Sequence, residues 1–195
     1  RTVQPSDGGG APRSGSHARY GQQVPLKWAL QHSNNWISAS LITTLGPQQF
    51  VGILHDFGLN NPDIDRNATP VLSLGPCEVS VGEMVSAYTA FANGGVRCAP
   101  LFVTKIEDSH GNVIAKFQPL MTEVISEDNS YRMIDMMRAV IDGGTGSRLK
   151  GAYGMKGDIC GKTGTTNSNS DGWFIAFTPE LVSGAWVGGE DRDIH

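Results

Sequence analysis

The sequence predicts an α+β fold in which a cluster of helices packs on an antiparallel sheet. Apolar residues recur at helical spacing over most of the chain, and short strand-like runs follow near its end. Helices that come first and strands that come later are typical of α+β folds rather than doubly wound ones. The 195 residues suffice for one or two domains with a real hydrophobic core.

The first half of the chain is predicted to be helical after an irregular start. Residues 1–22 are rich in Gly, Ser, Pro and Arg and predict a loop or a flexible arm. Pro25 suits the first position of a helix, and the polar residues 32–35 separate this helix from a second one that continues to Leu45. Pro47 begins a third helix that Gly58 ends. Residues 60–76, with repeated Asp, Asn and Pro, are predicted to form a loop.

The second half is predicted to contain two capped helices, a hairpin and three closing strands. Ser80 and Glu83 form a capping box that begins one helix, and Ser126 caps the other. Glycine pairs end both helices. The hairpin spans residues 101–106 and 113–117, and the closing strands span residues 159–166, 172–178 and 181–188.

Composition excludes several functional classes. The net charge is −4, which argues against a nucleic-acid partner or an anionic lipid surface. No apolar run approaches the ~20 residues that span a bilayer. Because the sequence opens at Arg1 without an initiator Met or a signal peptide, we expect it to be an excised piece of a longer protein.

The cysteines and histidines predict neither a metal nor a cofactor. Cys77, Cys98 and Cys160 are scattered and odd in number, so three buried thiols are favoured and one disulfide stays open as an alternative. The chain has no CxxC or HExxH spacing, and its five histidines are isolated.

The Gly161–Thr163 tripeptide invites a phosphate-loop interpretation, which the surrounding residues exclude. That motif requires a glycine five positions before Gly161, where this chain has Lys156. It also requires a helix to follow, whereas the following residues read as a strand.

Two polar clusters could carry chemistry. In the first, Lys162 supplies a fixed positive charge, Gly164 lets a ligand lie close to the backbone, and the neighbouring Thr hydroxyls can hold a carboxylate. The simpler interpretation is a strand with a turn-prone end. The second cluster, Ser33–Asn35, lies at a helix break, and by itself a Ser-x-Asn is a weak signal. Each cluster alone is a weak signal, but the two in this order and 129 positions apart, from Ser33 to Lys162, form a specific pattern.

Together these clusters resemble two motifs of a known family, in which Ser-x-x-Lys, Ser-x-Asn and Lys-Thr-Gly form a set. The chain resembles the transpeptidase domain of a class A (bifunctional) penicillin-binding protein from about Tyr20 to Gly189. Four blocks carry the resemblance in order: VPLKWALQHSNN, LGPCEVSVGEMVSAYTAFANGG, VIDGGTGSRLK and CGKTGTTNSNSDGWFIAFTPELVSGAWVGG.

The resemblance implies an enzyme that cross-links peptidoglycan stem peptides by serine acyl transfer and that binds β-lactam antibiotics. It implies the penicillin-binding transpeptidase fold, which serine β-lactamases share. It also implies a location in the periplasm, at the extracytoplasmic face of the bacterial inner membrane. A membrane anchor and a glycosyltransferase domain would then lie in the missing N-terminal part of the same protein.

The resemblance assigns catalytic roles to three residues. Ser33 matches the serine that relays a proton toward the leaving amine. Asn35 matches the residue that hydrogen-bonds the acyl side chain of the donor peptide. Lys162 would hold Ser33 and set the electrostatic potential of the site.

The resemblance also assigns substrate binding to the strand that follows Lys162. Thr163 and Thr165 would bind the substrate carboxylate across Gly164, with Thr166 next to them. The backbone N–H of Thr165 would form half of an oxyanion hole.

The family's nucleophile, a Ser with a Lys three residues later, precedes the Ser-x-Asn motif. The Ser-x-x-Lys of this chain, Ser147–Lys150, follows it, and we expect it to be a structural loop. We therefore expect residues 23–195 to form a partial transpeptidase domain that is inactive alone and that lacks two early strands and a closing helix. A non-catalytic penicillin-binding-like module and a serine β-lactamase or β-lactam sensor stay open as alternatives.

Overall fold

The computed structural model describes residues 2–3, 23–166 and 170–189, and it has the predicted mixture of helices and small antiparallel sheets. The helices are α1 (Leu26–Gln31), α2 (Asn35–Leu45), α3 (Pro47–Asp56), α4 (Pro62–Arg66), α5 (Val81–Ala92), α6 (Glu127–Gly143) and α7 (Arg148–Gly151), with a 3₁₀ turn at Pro70–Leu74. The strands are β1 (Thr2–Val3), β2 (Val24–Pro25), β3 (Val96–Cys98), β4 (Lys105–Glu107), β5 (Val113–Lys116), β6 (Met121–Glu123), β7 (Cys160–Thr165), β8 (Asp171–Phe177) and β9 (Val182–Gly188).

The core lies between α5, α6 and the sheet of β7, β8 and β9. Helix α5 packs on β9 and β8, and α6 packs on β7 and on α1. Met137 on α6 meets Cys160 and Phe177 of the sheet in one buried cluster. A second cluster joins α3 to α5 through Val51, Phe57 and Ala90. Helices α5 and α6 therefore pack against the sheet and also against the outer helices α1 and α3.

The sheet has the strand order β7-β8-β9, with antiparallel pairing throughout. Strand β7 forms one edge among the described residues, and its Lys162 lies opposite Ile175 of β8. Gly161 is required here because a Cβ at this position would lie 2.6 Å from the Ile175 carbonyl oxygen. The Lys162–Gly164 segment belongs to the strand that packs against α6, and α6 in turn packs against α1.

Most of the predicted boundaries are confirmed. Ser80 and Glu83 make the reciprocal capping box of α5, and the Ser126 hydroxyl accepts from the Asn129 amide at the start of α6. Strands β4 and β5 form the predicted hairpin, although β4 is shorter than expected. The tight turn between β8 and β9 is closed by a hydrogen bond from the Thr178 amide to the Leu181 carbonyl.

The loop predicted at residues 60–76 is wrong, because it contains α4 and the 3₁₀ turn. Both begin with a proline at a first helical position, and the Asn61 side chain accepts from the Asp63 amide to cap α4. The Asp and Asn residues that suggested a loop are thus capping and first-turn residues of a helix too short for its periodicity to be visible.

Other differences concern very short elements. Pro25 precedes α1 instead of beginning it, and it lies in a strand that pairs with Thr2–Val3. Residues 1 and 4–22 of the predicted arm lie outside the described residues. Strands β3 and β6 pair across an intervening hairpin, and neither they nor α7 were expected. Three-residue strands and a single helical turn carry no usable apolar pattern.

The three cysteines are free thiols, and Cys160 is the only one of them that is fully buried. Burial raises the pKa of the Cys160 thiol, and a smaller degree of burial raises that of Cys77. Residues 2–3, 23–166 and 170–189 contain no cluster of His, Cys, Asp and Glu of the size a metal needs. No helix in this part of the chain is long and apolar enough to cross a bilayer.

Candidate active site

The Ser33 turn between α1 and α2 forms one wall of the candidate site. Among the described residues Ser33 is the only non-glycine residue with a positive φ, +52°. The Ser33 and Asn34 amides bond back to the carbonyls of Leu30 and Ala29, and the Asn34 side chain caps α2 by accepting from the Ile37 amide at 3.1 Å. The left-handed conformation costs on the order of 1 kcal/mol, and backbone outliers of this kind cluster at functional sites.

The end of α1 is fixed by an aromatic pair just before this turn. The rings of Trp28 and His32 are stacked with centroids 4.4 Å apart, and the His32 Nδ1 lies 2.9 Å from the Trp28 carbonyl oxygen. These contacts hold the residue that precedes Ser33 in place. The backbone of Ser33 is therefore held between α1 and α2.

The structure brings Ser33 and Lys162 together, although 129 positions separate them. The Lys162 ammonium donates to the Ser33 Oγ at 2.9 Å and to the Thr163 carbonyl at 2.8 Å. Burial lowers the pKa of Lys162 from 10.5 to about 8. At neutral pH the ammonium is still the major form, but it loses its proton far more readily than a solvated lysine.

An apolar cavity explains why Lys162 is desolvated. A cavity of about 250 Å³ lies between α3, α5 and α6, and Lys162 lines it together with Leu54, Tyr88 and Met137. Burial also raises the pKa of the Tyr88 phenol to about 12, so Tyr88 is neutral at physiological pH. No charge from Tyr88 therefore offsets the desolvation of the Lys162 ammonium.

The Thr163 hydroxyl has a partner that the sequence did not suggest. Its Oγ1 lies 2.6 Å from the Oγ1 of Thr145, in the glycine-rich turn after α6. The Thr145 amide donates to the Gln31 carbonyl at 3.2 Å, close to the Ser33 turn. The segment around Thr145 belongs to one of the blocks that carry the resemblance, but nothing in its sequence indicates the contact with Thr163, which only the tertiary fold reveals.

The remaining predicted residues lie around this centre. Asn35 is the first residue of α2 and is partly buried, and Thr165 is exposed at the end of β7. A Cβ on Gly164 would lie 3.1 Å from the Trp173 Cβ. The Thr166 Oγ1 accepts from the Asp171 amide at 3.0 Å and lies 2.9 Å from the Ser170 Oγ, so it links the end of β7 to the start of β8. The catalytic role of Asn35 and the substrate-binding roles of Gly164, Thr165 and Thr166 stay predictions.

The Ser147–Lys150 pair has the geometry of a structural loop. The Lys150 ammonium lies 2.7 Å from the Asp142 Oδ1 of α6, in an ion pair. Ser147 lies at the start of the single-turn helix α7. Activation of Ser147 would need Lys150 as a neutral amine, whereas the ion pair with Asp142 holds it as an ammonium, so this arrangement favours the structural interpretation of the motif.

Comparisons with known proteins match this chain to the family whose motifs form the site. The family model of the penicillin-binding protein transpeptidase domain matches residues 4–185. Penicillin-binding protein 1A of Aquifex aeolicus (strain VF5) is 35% identical over 177 residues, and that of Neisseria lactamica is 34% identical over 178. These alignments cover 91% and 89% of this chain but only 23% and 22% of the two relatives.

A solved structure supports the fold over almost the whole chain. The crystal structure of penicillin-binding protein 1A from Haemophilus influenzae matches with a TM-score of 0.82 and 26% identity, and the match covers 98% of this chain and 34% of that one. The chain thus spans about a quarter of the length of the curated relatives and about a third of the solved chain.

Proposed function

Because the chain belongs to the transpeptidase domains of class A penicillin-binding proteins, we propose that it forms part of a peptidoglycan D,D-transpeptidase. The whole enzyme cross-links stem peptides by serine acyl transfer and is acylated by β-lactams. The observation that carries this proposal is the 2.9 Å hydrogen bond from the Lys162 ammonium to the Ser33 hydroxyl.

This pair suits the transfer of a proton to the amine that leaves a D-Ala-D-Ala terminus. The Ser33 oxygen accepts from Lys162, so its own proton is free to go to the leaving nitrogen. Ser33 then takes a proton from the Lys162 ammonium. Burial favours this second transfer, because it lowers the pKa of Lys162 to about 8.

Substrate binding falls to strand β7 in this proposal. The Thr163 and Thr165 hydroxyls hold the carboxylate of the substrate, and the charge of Lys162 favours an anion at this point. Asn35 binds the acyl side chain of the donor. The Thr165 amide contributes to the oxyanion hole, with Gly164 and Thr166 completing the wall.

The acylated serine of the proposed enzyme belongs to a Ser-x-x-Lys segment outside these 195 residues. Within them, Ser147–Lys150 is the one match to that pattern, and Lys150 is paired with Asp142. The chain therefore supplies two of the three motifs, and its partners are stem peptides, β-lactams and the rest of the same protein. The enzyme acts in the periplasm, at the extracytoplasmic face of the bacterial inner membrane, anchored by a segment outside this sequence.

The test is acylation of the full-length protein by a fluorescent penicillin. Lys162→Ala should lower the second-order rate constant by about 10²–10³, the usual effect of removing one fixed group that stabilises charge in the transition state. Lys150→Ala is the matched control and should leave the rate constant unchanged, because its ammonium is bound to Asp142. Unaltered kinetics in Lys162→Ala would contradict the proposal.

A further inference from the structure

We propose that Thr145 is a positioning residue of this site, acting through Thr163. This inference rests on the proposed function and adds to it a residue from outside its three motifs. The Thr145 hydroxyl orients the Thr163 hydroxyl toward the carboxylate of the ligand.

The turn that carries Thr145 contacts both walls of the site, which are the Ser33 turn and strand β7. The Thr145 amide donates to the Gln31 carbonyl, next to the Ser33 turn, and the Thr145 hydroxyl forms a hydrogen bond with that of Thr163 on β7. A Cβ on Gly144 would overlap the Gln31 carbonyl oxygen, and one on Gly146 would lie 2.8 Å from the Ile141 Cδ1. The two glycines thus allow the backbone to approach so closely that Thr145 is fixed between the walls.

The number of protons determines what the hydroxyl pair does. Two hydroxyls 2.6 Å apart share one of their two protons, and either atom can be the donor. A carboxylate offers no proton, so Thr163 must donate its own proton to bind one. Thr145 then has to be the donor of the pair. A hydroxyl that accepts one hydrogen bond is also a stronger donor to the next group.

Thr163 is partly buried and Thr145 is exposed, so the hydroxyl pair is accessible to a ligand. Without the Thr145 hydroxyl, Thr163 keeps its oxygen but loses the partner that fixes its rotation. The expected loss is that of about one neutral hydrogen bond, a factor of about 5 to 10. It should appear only with ligands that carry the carboxylate.

The experiment compares benzylpenicillin with its methyl ester in the full-length protein. Thr145→Val keeps the shape of the side chain and removes the hydroxyl, and we expect it to lower the acylation rate constant for the acid by about 5- to 10-fold. Thr145→Ser restores the hydroxyl and should recover most of the rate. For the ester, Thr145→Val and wild type should be alike, since no carboxylate is present.

The ester distinguishes positioning from a merely structural role. If Thr145→Val slowed the acid and the ester equally, or slowed neither, the proposal for Thr145 would be overturned while the proposed function stood. If the wild-type protein were not acylated at all, the proposed function would fail and the role of Thr145 with it. Thr163→Val provides the reference, because it should show the same dependence on the carboxylate.

Discussion

At the scale of single residues, the site depends on a lysine held in unfavourable surroundings. Lys162 lines an apolar cavity, and its ammonium has two oxygen partners, the Ser33 hydroxyl and the Thr163 carbonyl. These contacts are too few to offset the loss of water, and the pKa falls to about 8. Because of this lowered pKa, the Lys162 ammonium loses its charge in a pH range in which acylation can be measured.

We therefore expect acylation of the full-length protein by penicillin to fall as the pH rises past about 8. Below this pH, Lys162 carries the charge that attracts the carboxylate and supplies the proton for Ser33; above it, both are lost. The measurement is the second-order rate constant between pH 6 and pH 10. Lys162→Ala should lack this alkaline decrease, and a wild-type profile that stayed flat to pH 10 would contradict the assignment.

The sequence predicted Ser33 and Lys162 because each belongs to a motif with a characteristic order. Their hydrogen bond confirms that the two motifs meet. The sequence did not predict a role for Thr145, because a threonine between glycines has no chemical signature of its own. Its function depends on a contact with Thr163, 18 positions away, and on the Gln31 carbonyl. Such contacts become visible only in the tertiary structure.

At the scale of secondary structure, the site is held by the packing of α5 against β9. Gly184 of β9 lies opposite Ile175 of the central strand, and α5 crosses directly over it. A Cβ at this position would lie 2.8 Å from both the Ile175 Cδ1 and the Val85 Cγ2. The absence of a side chain at Gly184 therefore sets the distance between the helix and the sheet that carries Lys162.

We expect Gly184→Ala to destabilise the folded chain by about 1–3 kcal/mol, as extra methyl groups in tight cores do. Gly172→Ala is the matched control, since it lies on the neighbouring strand β8 and a Cβ there would meet nothing within 4 Å. Urea unfolding of the two variants checks this difference. Equal midpoints for the two would show that α5 can move away from the sheet without cost.

The length of an element decided whether the sequence predicted it. Helices α5 and α6 have side-chain caps, α3 begins at Pro47, and each of the three has apolar residues over several turns. Strands β7, β8 and β9 lie close together in the sequence. All six were expected close to their observed bounds. Helix α4 and the pair of β3 and β6 were missed, because the first is a single capped turn and the second pairs residues about 25 positions apart across a hairpin.

At the scale of the whole molecule, the described residues bring two of the family's three motifs together and leave an apolar cavity beside them. The cavity of about 250 Å³ reaches Lys162 directly. Strand β9 forms the other edge of the sheet among the described residues. Val187 on this strand is 75% exposed, and Leu181 just before it is 65% exposed. Apolar surface of this kind favours association with further protein. The site is therefore expected to function within the larger protein.

The 195-residue chain alone should form no stable adduct with a fluorescent penicillin, whereas the full-length protein should be labelled. Covalent capture needs a serine beside a base that takes its proton. Ser33 accepts a hydrogen bond from the Lys162 ammonium, so Lys162 is placed to donate a proton to Ser33 and not to remove one. The Lys150 ammonium is paired with Asp142 and is not available as a base for Ser147. Weak, reversible binding through Thr163 is still expected. Intact-protein mass spectrometry distinguishes the two results, and a stoichiometric adduct mapped to Ser33 or Ser147 would make that residue the nucleophile and overturn the assignment of the motifs.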